Sequence, residues 1–244
     1  MTDIRQATDH VGAAGHPPVC GLTKVLGWAG VAGGVLAAVA VLTLDLVIGG
    51  RPLRGKPMRL QTISEYVYSP GSWAFNTAIV ALAAGSAALL IGLVRRRLVR
   101  PISPGSILLT LWGIGLLGIV AFPKHNWAVG PSGTGTTHRV ASLIAFVALP
   151  VGVLLAAGWR RNSTAARAAS ALAVGALCCL SVLLGAIVVA AVSGGAWWQL
   201  IPLGVVERGI AGFEVAAVIA LGCWLIGSAD PDRDRGGIVR PGTP

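Results

Sequence analysis

Charged residues are scarce in this chain, and their scarcity excludes most soluble folds. Asp, Glu, Lys and Arg make up 11% of the 244 residues, whereas hydrophobic residues make up 55%. A typical soluble domain carries about 25% charged residues. Charge is absent altogether from residues 25–44, 71–94, 101–123, 140–159 and 168–206. Because a membrane-spanning helix needs about 20 mainly apolar residues, the composition predicts an all-α, polytopic membrane protein.

These charge-free stretches predict a bundle of six transmembrane helices. The last stretch is too long for one helix, and Ser193-Gly194-Gly195 together with Pro202 break it in two. The expected helices cover about residues 25–48, 72–94, 103–122, 136–159, 167–192 and 204–227. A cleaved signal peptide competes for the first stretch, but the apolar run continues to Ile48 after a mostly polar start, which favours an uncleaved helix.

The same pattern divides the chain into three parts. Residues 1–24 are expected to form a cytoplasmic tail, residues 25–228 the six-helix transmembrane domain, and residues 229–244 a disordered cytoplasmic tail. The two tails lack apolar periodicity, as mobile termini do.

Cysteine is also scarce, and its positions exclude a disulfide framework and a metal site of the CxxC type. The four cysteines are Cys20 in the tail and Cys178, Cys179 and Cys223 in predicted helices. Thiols in such positions usually pack as small apolar groups. The two histidines near the membrane, at 125 and 138, lie on one side, which excludes stacked bis-His haem sites. The sequence therefore predicts no metal and no other cofactor.

Acidic residues are outnumbered by basic ones, 9 against 19, which gives a net charge of +10. The basic residues lie in short loops between apolar stretches, so they indicate membrane orientation rather than nucleic-acid binding. With the N-terminus inside, 12 basic residues lie in the cytoplasm and 7 outside. We therefore expect a multi-pass protein of the cytoplasmic membrane with both termini cytoplasmic. Arg95, Arg96 and Arg97 would then meet anionic lipid at the inner leaflet.

Residues 122–146 place polar chemistry between two apolar segments. Prolines and glycines exclude a continuous helix there, so the chain must turn. The turn holds Lys124, His125, His138 and Arg139 close together in sequence. His138 is expected in the first turn of the fourth helix, on the same face as Ser142. Its role is left open between a structural hydrogen bond and proton transfer.

The fourth helix is expected to begin near Thr136 or Thr137. Hydroxyl side chains that could accept a hydrogen bond from a free backbone amide precede and open it. These candidate caps are Ser132, Thr134, Thr136 and Thr137.

The sixth helix carries the sharpest functional signal, a carboxylate within an apolar span. Glu214 lies seven residues after Glu207, on the same stripe and about 10 Å deeper. A carboxylate at that depth is costly unless it is protonated or paired, and such residues usually mark function. We predict a functional role for Glu214, with Arg139, Arg208 or His138 as its partner.

Two more carboxylates lie near the predicted outer surface. Asp45 falls in the last turn of the first helix, where capping or snorkelling competes evenly with a role in a site. Glu65 shares its loop with four basic residues, so a solvated ion pair competes with a role in the site. Residues 60–68 around it are expected to form a short re-entrant or interfacial segment.

Tryptophan clusters at the same level. Trp197 and Trp198 indicate an aromatic belt at the outer interface, together with Trp73 and Trp127. The alternative is a stacking wall for a ligand.

Even numbers of membrane crossings separate the loop around Glu65, the stretch from Lys124 to Arg139 and the start of the sixth helix. All three should therefore open on the same side of the membrane and line one cavity. The expected catalytic candidates are Glu214, His138 and Glu65. The expected ligand-binding residues are Glu65, Lys124, His125, His138, Arg139, Trp197, Trp198, Glu207, Arg208 and Glu214.

Three short motifs resemble a family. They are Ile63-Ser64-Glu65-Tyr66 after helix one, the Gly133 to His138 run that opens helix four, and Gly204-Val205-Val206-Glu207-Arg208 opening helix six. Together they resemble the bacterial membrane family catalogued as domain of unknown function 998, over about residues 25–227. More distantly the chain is similar to DRAM-type membrane proteins, which are linked to lipid organisation. The Ala, Gly and Arg content suits a high-GC bacterium such as an actinomycete.

Three functions fit this pattern. The first is a non-enzymatic protein that binds a membrane lipid or small hydrophobic molecule in the outward-facing cavity, with Arg139 and Arg208 holding an anionic head group. The second is an intramembrane enzyme that acts on a lipid or isoprenoid, with Glu214 or Glu65 as proton donor and His138 as base. The third is proton-coupled transport through Glu214 and His138, although no inverted repeat is present. The oligomeric state stays open.

Overall fold

A computed structural model describes residues 19–48, 62–125, 130, 132–157 and 163–229. These ranges are helical, contain no strand, and hold six long helices: α1 Val19–Val47, α2 Ser72–Arg95, α3 Pro104–Ala121, α4 Gly133–Ala157, α5 Thr164–Ser193 and α6 Leu203–Gly227. All six are long and apolar enough to cross a membrane. The predicted all-α fold with six spans is confirmed. Trp127, the tail residues 1–18 and 230–244, and most of the loop before residue 62 lie outside the described residues.

Helix boundaries differ from the expected ones because local caps set them. The fourth helix begins at Gly133 rather than near Thr136, since the Ser132 hydroxyl accepts a hydrogen bond from the Gly135 N–H at 3.2 Å. The fifth begins at Thr164, and the Ser163 hydroxyl accepts from the Ala166 N–H. A capping side chain satisfies a backbone N–H that has no partner inside its helix. The first helix begins at Val19, within the stretch predicted as tail.

The predicted break between the last two helices is present. Gly194 ends α5 in the left-handed conformation at φ 74°, and its N–H donates to the Ala190 carbonyl. Glycine adopts this conformation without the strain that a Cβ would bring. Pro202 then precedes α6. A short 3₁₀ helix, Trp197–Gln199, lies between them.

The six helices pack as a closed ring. Each contacts the next along the chain, and α6 closes the ring against α1 while also contacting α2 and α4. Close approach between α1 and α2 depends on two glycines. A Cβ on Gly33 would lie 2.7 Å from the Ala81 carbonyl oxygen, and one on Gly85 would lie 2.6 Å from the Ala29 carbonyl oxygen. Small residues at such contacts let membrane helices pack backbone to backbone.

A second 3₁₀ helix, Ile63–Tyr68, covers one end of the bundle. Its Ile63 and Tyr66 side chains are buried in a small apolar cluster with Leu44 of α1 and Phe75 of α2. We call this the Tyr66 end, where α1, α3 and α5 end and α2, α4 and α6 begin. The opposite end, which holds the turn between α2 and α3, is the Arg95 end.

Candidate functional site

An ion pair at the Tyr66 end ties α1 to α6. The Arg208 guanidinium donates to both Asp45 oxygens, from Nε at 2.9 Å and from Nη2 at 2.7 Å. Arg208 Nη1 also donates to the Gly204 carbonyl oxygen at 2.9 Å. Bidentate pairs of this kind combine strength with a fixed geometry. The carboxylate of Asp45 and the guanidinium of Arg208 therefore neutralise and orient each other.

Tyr66 attaches the Ile63–Tyr68 helix to this pair. Its hydroxyl donates to Asp45 Oδ1 and lies 3.4 Å from Arg208 Nη2. Burial, together with the hydrogen bond to the Asp45 carboxylate, raises the pKa of Tyr66 to about 12. The phenol therefore stays protonated and donating throughout the physiological pH range.

Four more contacts hold the Ile63–Tyr68 helix in place. Glu207 Oε2 accepts from the Ile63 N–H at 2.9 Å. The Lys124 ammonium donates to the Thr62 hydroxyl and lies 3.6 Å from Glu65 Oε1. The Tyr68 hydroxyl donates to the Lys124 carbonyl oxygen. Lys124, Glu207 and Arg208, three of the charged residues predicted at this end, thus contact the segment that covers it.

The two histidines near the start of α4 have structural contacts. His138 is buried, and its Nδ1 lies 2.8 Å from the Phe122 carbonyl oxygen, so Nδ1 carries the proton that is donated. His125 is buried too, and its Nδ1 accepts from the Ser132 N–H at 2.8 Å. Burial, with the nearby positive charges of Arg139 and Lys124, lowers the pKa of His125.

Gly135 provides the space for the His125 ring. A Cβ at this position would overlap the imidazole and would lie 2.7 Å from the His125 backbone nitrogen. The small residues that open α4 therefore allow the preceding loop to pack directly on the helix.

Glu214 lies in a different environment from the polar contacts at the Tyr66 end. Its side chain is 5% exposed, and Oε1 has no hydrogen-bond partner among the described residues. No hydrogen bond or ion pair within the described part of the chain joins Glu214 to His138, Arg139 or Arg208, the predicted partners. The Trp112 indole faces the Glu214 carboxyl.

Trp112 is the residue that sequence reasoning missed. It lies near the middle of α3, is 1% exposed, and its Nε1 lacks a hydrogen-bond partner among the described residues, so it does not meet hydrogen-bond geometry with Glu214. A tryptophan far from both span ends departs from the usual interfacial placement, and a buried indole N–H usually has an acceptor. The position of Trp112 in the middle of an apolar span was the feature of the sequence that could have identified it. The pair places an unsatisfied acceptor and an unsatisfied donor together in the membrane interior.

A small cavity adjoins Trp112, although Glu214 is not among the residues that line it. It measures about 10 Å³ and is lined by residues of α2, α3, α4 and α6, including Ser86, Trp112, Leu149 and Val218. That volume is about enough for one water molecule. In this conformation the cavity can receive a single hydroxyl or water, but no larger group.

The structure brings some predicted site residues together and separates others. Glu65 and Lys124 lie together at the Tyr66 end, where Glu207 and Arg208 also contact the Ile63–Tyr68 helix. Trp197 and Trp198 pack edge to face, with ring centroids 5.9 Å apart. No hydrogen bond or ion pair in the described ranges links these tryptophans to that network. No cluster of three or more His, Cys, Asp or Glu side chains suited to a metal occurs among the described residues.

One protein family matches most of the chain. The family described as "Protein of unknown function (DUF998)" matches residues 31–224, which include all six helices in whole or in part. Searches of curated proteins and of solved structures found no match.

Proposed function

The chain belongs to the DUF998 family, and we propose that it binds a lipid or other small amphiphile within the bundle, through a polar group held by Glu214 and Trp112. The observation that carries the proposal is that two neighbouring buried side chains, Glu214 and Trp112, each keep one atom without a hydrogen-bond partner among the described residues, Oε1 and Nε1. Each such atom costs about 1–3 kcal/mol when it is buried without a partner. A ligand that satisfies both atoms removes that penalty.

The hydrogen-bonding capacity of the two atoms narrows the ligand. Trp112 Nε1–H can only donate, so the ligand must accept. Oε1 of Glu214 accepts as the carbonyl oxygen of a protonated carboxyl or as a carboxylate oxygen, so a ligand bound to it must also donate. A hydroxyl does both, whereas an ammonium group cannot accept and a fully deprotonated phosphate cannot donate. We therefore favour an amphiphile that carries a hydroxyl.

The charged residues at the Tyr66 end support a neutral ligand as well. Arg208 is bound to Asp45 and to the Gly204 carbonyl, and Lys124 contacts Glu65 and Thr62. An anionic head group at either cation would compete with these internal partners. This contact pattern argues against the sequence-based hypothesis in which Arg208 holds the head group.

Matched single-chain amphiphiles test the proposal. We expect hexadecanol to raise the unfolding temperature of the purified protein more than hexadecylamine or hexadecyl phosphate does. In Trp112→Phe and Glu214→Leu variants the affinity for hexadecanol should fall about 2- to 10-fold, the value of one hydrogen bond. Trp198→Phe, which alters an exposed tryptophan, is the control and should bind like the wild type.

Two results would contradict this function. One is an equal thermal shift from all three head groups, which would mean that the alkyl chain alone is recognised. The other is a hexadecanol response that Trp112→Phe leaves intact, which would mean that the interior pair is not the site. A bridging water alone would leave the wild type unresponsive to every probe.

We also propose that the protein lies in the cytoplasmic membrane with both termini in the cytoplasm. The 12-to-7 distribution of basic residues supports this orientation. The Tyr66 end, with exposed Trp73 and Trp198, would then face outward.

A further inference from the structure

The turn after α2 has an unusual residue in its sharpest position. The Arg97 N–H donates to the Val94 carbonyl at 2.9 Å, and the Leu98 N–H donates to the Leu93 carbonyl at 2.9 Å. These two bonds form a Schellman motif, whose residue after the cap adopts the left-handed conformation and is usually glycine. Arg97 occupies it at φ 54°, as the one non-glycine residue with positive φ among those described.

An arginine in this position works against its own backbone preference. The Cβ of an L-residue crowds the following carbonyl in the left-handed region, whereas glycine has no such conflict. A residue held in a strained conformation is a reason to look for a role of its side chain. The side chain of Arg97 places a guanidinium group in the turn between the α2 and α3 spans.

The surroundings of Arg97 are strongly basic. Arg95, Arg96 and Arg100 are exposed in the same turn, and residues 92–106 include no Asp or Glu. Arg96 donates to the Ser228 carbonyl oxygen at the end of α6. The turn therefore concentrates positive charge without acidic side chains of its own.

An exposed apolar side chain stands beside these arginines. Ile102 is 89% exposed, two residues after Arg100 and just before the Ser103 cap of α3. Guanidinium groups beside an exposed isoleucine at the end of a span suit a bilayer surface, where phosphates meet acyl chains. A nucleic acid or a free anion would have no use for the isoleucine.

We propose that residues 95–102 form a binding surface for the phosphate groups of anionic phospholipids. The guanidinium of Arg97 contributes to phosphate binding from the left-handed position, and Ile102 inserts among the acyl chains. This surface lies at the Arg95 end and is independent of the interior pair at Glu214.

Nanodiscs of defined lipid test the surface. We expect the unfolding temperature of the wild type to be higher in discs that contain phosphatidylglycerol than in discs of phosphatidylcholine alone. Arg97→Gly should gain about 2 °C in phosphatidylcholine from relief of strain, and its phosphatidylglycerol affinity should fall about fivefold. Arg97→Asn, which tolerates the left-handed region without charge, should show the same loss of affinity, and Arg97→Lys should retain most of it.

Arg167→Gln provides the matched control. Arg167 is exposed at the same end of the bundle, on α5, where it donates to the Thr164 hydroxyl. Retention of the phosphatidylglycerol response in this variant, with its loss in Arg97→Asn, would support the surface. Equal losses in both variants would overturn it, because any basic residue would then suffice.

Two further arms complete the test. Inorganic phosphate added to phosphatidylcholine discs should give no shift; a shift equal to that of phosphatidylglycerol would overturn a lipid site. Should Arg97→Gly fail to assemble, Arg100→Gln replaces it, and an unchanged phosphatidylglycerol response in that variant would contradict the proposal.

Discussion

Removing the charge of Asp45 should destabilise the protein more than removing the charge of Glu65, which forms the neighbouring ion pair with Lys124. The Asp45 and Arg208 side chains are 14% and 20% exposed, and they share two hydrogen bonds. Breaking a buried pair costs about 3–5 kcal/mol, and an exposed pair contributes below about 1 kcal/mol. For this mostly buried pair we expect Asp45→Asn to cost about 2–3 kcal/mol, a fall of about 5–10 °C in the unfolding temperature.

Thermal unfolding in nanodiscs measures this loss, with Glu65→Gln as the control. Glu65 and Lys124 are buried to a similar degree, at 16% and 18% exposed, but their charged atoms lie 3.6 Å apart rather than 2.7 Å, so Glu65→Gln should lose about 1 kcal/mol, less than Asp45→Asn. Tyr66→Phe should lose about 1 kcal/mol for its hydrogen bond. The double variant with Asp45→Asn should lose less than the sum, since both changes break one contact. Equal stability of Asp45→Asn and Glu65→Gln would refute the reasoning.

Alkaline pH tests the same contact without a mutation at Asp45. The pKa of Tyr66 is about 12 in the folded protein and 10.0 for an ordinary tyrosine. Protonated Tyr66 therefore makes its full contribution to the free energy of unfolding below pH 10. This contribution is lost as the pH rises from 10 towards 12, and the free energy of unfolding falls by about 2–3 kcal/mol in all. Tyr66→Phe should lack this decline. A decline of the same size in Tyr66→Phe would assign it to other groups.

Two remaining predictions concern the loop before α4 and the membrane orientation. Gly135→Ala should destabilise the protein by about 1–3 kcal/mol in thermal unfolding, because its methyl group would overlap the His125 ring. Gly133 has open space around it, so Gly133→Ala should be neutral or slightly stabilising. Equal effects of the two variants on stability would contradict the packing of His125 against Gly135. Alkaline phosphatase should be inactive when fused after Pro244 and active when inserted into residues 49–61, and the reverse result would invert the orientation.

The number of spans could be predicted from the sequence because the bilayer imposes a simple length rule. A run without charge of about 20 residues can satisfy its backbone in lipid only as a helix. Helix ends follow weaker, local rules, which is why α4 begins at Gly133 and not near Thr136. Four hydroxyl residues competed to cap it, and the position of the His125 loop favours Ser132.

Contacts between helices are harder to predict from one sequence. The sequence left Asp45 open between capping, snorkelling and a role in a site, and the structure shows its ion pair with a residue 163 positions later. Trp112 and Glu214 carry no shared motif, because their meeting depends on how α3 and α6 rotate about their axes. The roles of the predicted site residues stay predictions.

The route of the proposed amphiphile to Glu214 follows from comparing the costs of two ways of entry. A ligand that enters through the Tyr66 end must displace the Ile63–Tyr68 helix and break the Asp45–Arg208 pair, at about 2–3 kcal/mol or more. The hydrogen bonds at the interior pair form only after entry, so they do not lower this barrier. Separation of α2 from α3, the sparsest contact between consecutive helices, exchanges apolar side chains for acyl chains of similar polarity and therefore costs little. We expect an amphiphile to reach Glu214 sideways from the bilayer, while the Tyr66 end remains closed.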